Sequence, residues 1–247
     1  MARFNINKSR NPFLKESALQ NSSMGLDQAG QGSMTVYGAI NKTLILLGIM
    51  MITTLVSYSM PNDLFLFVGA IGGLVAVIVA SVKQALSPFL APIYALLEGL
   101  FVGTISAYYA AAYQGIVLHA VTLTISMLFL MLIIYRLNLV KINQKFRAGV
   151  FMATGAVVLL YMSSWILGFF GINLPFLHEG GLMGIGLSLL IIGIAALNLL
   201  LDFDNFEKGE EYGAPKYMEW FAGMGLLITL VWLYVEFLRL LSILNRD

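Results

Sequence analysis

The 247-residue chain is 59% hydrophobic and 11% charged, whereas soluble domains average roughly 45–50% apolar and about 25% charged residues. Fourteen basic and 13 acidic residues cannot coat a soluble domain of this length, and a net charge of +1 offers nucleic acid nothing to bind. With no cysteine, disulfides and thiolate metal sites are excluded, and His119 and His178 stand in no metal-ligand spacing.

In chain order, residues 1–36 are rich in Asn, Ser, Gln and Gly and read as a disordered polar cytoplasmic tail. No cleavable signal peptide is visible there. Residues 37–247 read as a seven-helix transmembrane domain, an all-α integral membrane fold. Charge, Pro and Gly punctuate it into spans near 40–60, 64–82, 88–110, 115–135, 149–171, 182–204 and 218–242. A span needs about 20 apolar residues to cross a hydrocarbon core about 30 Å thick. The charge-free run of 37 residues between Glu98 and Arg136 is too long for one helix. It suits two, joined by a turn at Gln114-Gly115. A six-span count with one re-entrant segment is the alternative. The segment from Glu207 to Tyr212 reads as an acidic, solvated turn, and Lys141–Arg147 as an orientation signal contacting lipid headgroups. Gly69/Gly73, Gly99/Gly103 and Gly180/Gly184 have the small-residue spacing that lets membrane helices approach.

Basic residues set the orientation. With the N-terminus in the cytoplasm, all of the 14 Lys and Arg except Arg239 and Arg246 fall on the inner side. The C-terminus is then outside, in what reads as a bacterial inner membrane.

Acids inside a bilayer are costly, by roughly 2.5–3.5 kcal/mol at its centre on insertion scales, so each is a functional candidate. Glu98 lies mid-span in Ala-Leu-Leu-Glu-Gly-Leu, where a carboxyl could exchange protons or serve as a packed, protonated core group. Asp202 and Asp204 end the sixth span, where a hydrated interface is the plainer role. Being two residues apart, they point about 200° apart around a helix and cannot face one partner. Glu236 lies late in the seventh span, with Arg239 one turn on and on the same face. Only 16 residues separate it from Glu219, about 24 Å of helix, so at least one of the two acids must dip into the membrane or be shielded by protein.

Several blocks resemble the bacterial branch of the Bax inhibitor family, the transmembrane Bax-inhibitor-motif proteins. They are Met34-Thr35 with Asn41-Lys42-Thr43; Glu98-Gly99-Leu100-Phe101-Val102-Gly103; Lys145 to Val150; Asp202-Phe203-Asp204; Gly213 to Trp220; and Trp232 to Arg239. The resemblance spans about residues 34–244, in order. It implies seven helices with the last central in the bundle, and a pH-sensitive Ca²⁺ leak gated by two aspartates, one on each of the last two helices. Two close carboxylates cannot both ionise cheaply, so such a pair shares protons, and Ca²⁺ prefers oxygen ligands. Asp202 matches the sixth-helix aspartate. Aligning Arg239 with the family's arginine puts Thr229 at the second position, where nothing titrates. Asp204, Glu98 or Glu236 would have to supply the other carboxylate.

The leading expectation is a cation pathway, a Ca²⁺ leak channel or H⁺-linked Ca²⁺ transporter, with Glu98, Asp202, Asp204 and Glu236 along it. Asp202 and Glu98 would be transient Ca²⁺ contacts, and no cofactor is expected. The alternative is a non-transporting regulator, gripping a membrane protease or another membrane protein through the tail around Asn11-Pro12-Phe13-Leu14. Beyond that, the lipid bilayer is the expected partner. An enzyme is not expected: Ser188 has no motif context, Gly184-Ile185-Gly186 is followed by Leu187 rather than Asp, and the seventh span has no lysine for retinal.

Overall fold

The computed structural model describes residues 32–170 and 181–245. His178, Gly180 and residues 1–31 of the tail lie outside them. Seven helices among the described residues are long and apolar enough to cross a membrane. They are α1 (Val36–Ser59), α2 (Asp63–Val82), α3 (Ser87–Ala112), α4 (Ile116–Arg136), α5 (Gln144–Phe169), α6 (Leu182–Glu211) and α7 (Met218–Leu244). The expected spans are all there, and the 37-residue charge-free run divides into α3 and α4. Gly115 at the join has φ 74°, a left-handed backbone that glycine adopts without strain.

Local chemistry sets the helix starts. Thr35 accepts a hydrogen bond from the Gly38 N–H (2.9 Å), Asn62 from Leu64 (2.9 Å) and Asn143 from Phe146 (2.8 Å). Each satisfies a donor that an open helix end would leave exposed. Asn143 starts α5 at Gln144, so the basic stretch at 145–147 is helical and belongs to the span. Residues 207–211 continue α6 instead of forming the solvated turn expected from sequence. Asp204 pairs with Lys208 one turn on (2.8 Å), and the Tyr135 hydroxyl of α4 donates to Glu207 (2.5 Å), which holds the extra turns together. At 30 residues α6 is about 45 Å long, longer than a hydrocarbon core, and its last turns stand beyond the apolar slab.

The last helix is the axis. In its most apolar window α7 is 72% buried within the protein, against 44% for α6 and at most 33% for the others. The remaining helices leave apolar side chains such as Leu55, Phe67, Ile71 and Trp165 exposed around the outside, as a lipid-facing surface requires. Two of the three glycine pairs are close-approach points. A Cβ at Gly69 would sit 2.6 Å from the Leu97 carbonyl oxygen, and one at Gly99 would sit 2.5 Å from that of Met50. These glycines let α2 and α1 pack backbone-to-backbone on α3. Buried hydroxyls add polar ties: Ser57 to Thr104 (2.7 Å) between α1 and α3, and Ser106 to Tyr234 (2.6 Å) between α3 and α7.

The residues before α1 are fastened to the α6–α7 hairpin. Ser33 forms an antiparallel bridge with Pro215, the Met34 N–H donates to the Ala214 carbonyl (2.7 Å), and the Met34 side chain is 2% exposed. It occupies the space beside Gly209 that any side chain there would claim. The packed domain therefore begins before residue 36.

Candidate functional site

Antiparallel packing brings the C-terminal half of α6 against the middle of α7, and with it Asp202 against Thr229. The Thr229 hydroxyl donates to Asp202 Oδ2 at 2.7 Å, while its contact with the Gly225 carbonyl in its own helix is longer, 3.3 Å. The glycine helps: a Cβ at Gly225 would lie 3.7 Å from Asp202 Oδ1, so a longer side chain there would crowd the carboxyl. Asp202 therefore looks onto the central helix, and among the described residues its one hydrogen-bond partner is a neutral hydroxyl.

Asp204 faces elsewhere, as the two-residue spacing requires. Its Oδ2 is shared by Arg147 of α5 and Lys208, and Arg147 also donates to Asn205 (3.1 Å). Two cations already answer this carboxylate, which leaves little attraction for a third. Glu98 lies between α3 and α2. The Tyr94 hydroxyl, one turn back, lies near its carboxyl, and Oε2 would be 3.0 Å from a Cβ at Gly73. Its named neighbours are thus on α2 and α3, while those of Asp202 are on α7. The two acids do not share a hydrogen bond.

Glu236 forms a second buried centre towards the other end of α7. It is 2% exposed and takes hydrogen bonds from Tyr161 of α5 (2.7 Å) and Arg239 (3.0 Å); Arg239 also donates to the Tyr161 oxygen (2.6 Å). The fully buried Ser188 hydroxyl of α6 approaches the same carboxylate outside hydrogen-bond geometry. The expected pairing of Glu236 with Arg239 is present, but inside the protein, with Tyr161 closing a triangle. Glu219, at the other end of the 16-residue interval, is also 2% exposed. Protein shields both acids.

A half-buried aspartate on α6 facing the central helix is the arrangement that the blocks in the sequence imply, and the whole chain can be placed accordingly. A family model described as Bax inhibitor 1 like matches residues 11–246. The chain belongs to the Bax inhibitor 1 like family. No curated protein matches it.

In this Bax inhibitor 1 like protein, position 229 meets Asp202. What stands there is a hydroxyl. None of the three acids considered as substitutes bonds to Asp202. Among the described residues no group of three or more His, Cys, Asp and Glu is placed to hold a metal ion. Beside the pair in sequence, Phe203, Leu226 and Leu230 line an apolar cavity of about 550 Å³ between α1, α4, α6 and α7. Neither Asp202 nor Thr229 lines it.

Sequence reasoning missed four partners. Tyr94 could have been found as the residue one turn before Glu98. Arg147 was read as an orientation signal because basic residues at a span's end usually are. Tyr161 looked like one aromatic among many, and Glu219 only like a span boundary.

Proposed function

We propose that the chain is a membrane cation pathway of the bacterial branch of its family, a pH-sensitive Ca²⁺ leak channel or H⁺-linked Ca²⁺ transporter, with its N-terminus cytoplasmic and its C-terminus outside. The observation that carries the proposal is Asp202: an acid facing the central helix, answered among the described residues by one hydroxyl and no cation. Such a carboxyl keeps oxygen capacity for a hard cation or a proton. Asp204 and Glu236 are already paired with Arg147, Lys208 and Arg239, so the pathway rests on Asp202, with Glu98 in a separate, second position.

The test is Ca²⁺ flux into liposomes containing the purified chain, across pH 6–8. Asp202→Asn should abolish most of the flux, Glu98→Gln should reduce it, and the double variant should resemble empty liposomes. Flux that is absent from the native chain, or unchanged in the double variant, would sink the proposal.

The other reading, a non-transporting regulator that holds a membrane partner through its N-terminal tail, draws support from the fastening of residues 33–35 to the α6–α7 hairpin. A deletion testing it should stop at residue 31, since Met34 belongs to the packed domain. Lost partner capture with intact flux would separate the two roles.

A further inference from the structure

The end of the bundle where α1, α3 and α7 begin holds a cavity of about 480 Å³, lined among others by Lys42, Pro88, Lys216, Tyr217, Glu219 and Trp220. Two lysines give it a positive interior. Lys42 projects from the second turn of α1, its ammonium held 4.8 Å from the centre of the Trp220 ring, where the aromatic face fixes a cation without neutralising it. Lys216 comes from the α6–α7 turn and is exposed. Among the described residues neither lysine forms an ion pair. The starts of α3 and α7 also border the cavity, but their leading amides are answered by backbone. The Ser87 N–H donates to the Gln84 carbonyl, Met218 to Pro215 (2.9 Å), Glu219 to Lys216 (3.1 Å) and Trp220 to Tyr217 (3.2 Å). Pro88 has no N–H, so the lysines alone carry the positive charge.

One acid, Glu219, also lines the space. Its Oε1 is committed to the entry of α1, accepting from both the N–H and the hydroxyl of Thr35 (3.2 Å each). One carboxylate against two ammonium groups that form no ion pair among the described residues leaves the balance positive. The setting is interfacial as well: Trp220 and Tyr217 are the residue types that sit at headgroup depth, and the cavity opens at the end of the apolar slab rather than within it.

We propose that this cavity binds a phosphate group, supplied by the headgroup of an anionic phospholipid in the adjacent leaflet. Lys42 and Lys216 contact the phosphate oxygens, and Trp220 and Tyr217 flank the glycerol. The site is independent of the Asp202 pathway: its residues lie on another face of α7, and none of them is an acid assigned to the pathway.

The experiment is lipid binding to the full-length chain in detergent, read by native mass spectrometry, with phosphatidylglycerol against phosphatidylcholine. The native chain should retain phosphatidylglycerol preferentially. At about fivefold per lysine near a membrane surface, the Lys42→Gln, Lys216→Gln variant should lose roughly thirty-fold in affinity. Lys42→Arg, Lys216→Arg should keep most of it. If the double Gln variant does not fold, Lys216→Gln alone, in an exposed turn, should still lose about fivefold. A parallel arm titrates inorganic phosphate. Lysine-dependent phosphate binding with no lipid preference would support the anion site with a soluble phosphate compound as its source. Equal retention of both lipids together with no phosphate binding, or retention unchanged by Lys→Gln, overturns the proposal.

Discussion

Thr229→Val removes one hydroxyl and keeps the shape of the side chain, so it tests whether the contact with Asp202 is energetically real. The native hydrogen bond is short, 2.7 Å, and is the one that the Asp202 carboxyl receives among the described residues. Hydrogen bonds between membrane helices average about 0.6 kcal/mol and reach about 1.7. Those to charged groups in proteins are worth roughly 1.5–3 kcal/mol. A sole donor to a carboxyl beside the central helix belongs near the top of the membrane range, about 1.5 kcal/mol. For a chain of this size that lowers the melting temperature by about 3–6 °C. Melting in a fixed detergent, followed by intrinsic tryptophan fluorescence, reads the change. Thr229→Ser keeps the donor and should lose less than half as much; Asp202→Asn keeps an acceptor and should also melt closer to native. If Val and Ser variants melt together, or Val melts with the native chain, the contact has no energetic content, and the reasoning from it to a poised Asp202 fails.

Other outcomes follow from neighbouring features. Arg239→Met leaves Glu236 as a buried carboxylate with only Tyr161 as a bonded partner among the groups described here and should cost about 3–5 kcal/mol; a variant expressing and melting like the native chain would contradict the triangle. Gly99→Ala drives a methyl towards the Met50 carbonyl and should cost at least about 1–3 kcal/mol as overpacking, whereas Gly155→Ala, in open space on α5, should be neutral or stabilising by about 0.5–1 kcal/mol. Comparative melting of the two alanine variants decides. Glu219→Ala removes the acceptor for two donors of Thr35, and limited proteolysis should then cut near residues 32–36 several times faster than in the native chain.

The seven helices were legible because hydrocarbon leaves a blunt mark: long intervals without charge, broken by Asn62, Gly115 and Asn143. The end of α6 was not. Glu207, Lys208, Glu210 and Glu211 look like a solvated loop until Asp204 is seen to hold Lys208 and Tyr135 to reach Glu207, and pairs of that kind depend on which helix lies alongside. The meeting of Asp202 with Thr229 was accessible only through the family's blocks and the register of Arg239, since nothing in the periodicity of α7 separates Thr229 from any other small polar residue. The division of labour among the acids was half legible. Spacing alone separates Asp202 from Asp204, but the choice of Asp202 for the central helix and Asp204 for Arg147 is made by tertiary packing.

The fastening of the chain's entry to its last hairpin has a consequence for how the protein is made. The N–H groups of Thr35 and Val36 are answered by Glu219 and Glu210, residues synthesised 184 and 174 positions later. Until those residues emerge, the first helix enters the bilayer with its leading amides satisfied only by water, and Met34 has no socket. The final helix is therefore both the axis of the bundle and its closing latch, and a nascent chain stopped before residue 219 presents an unlatched first helix to the cell's quality control.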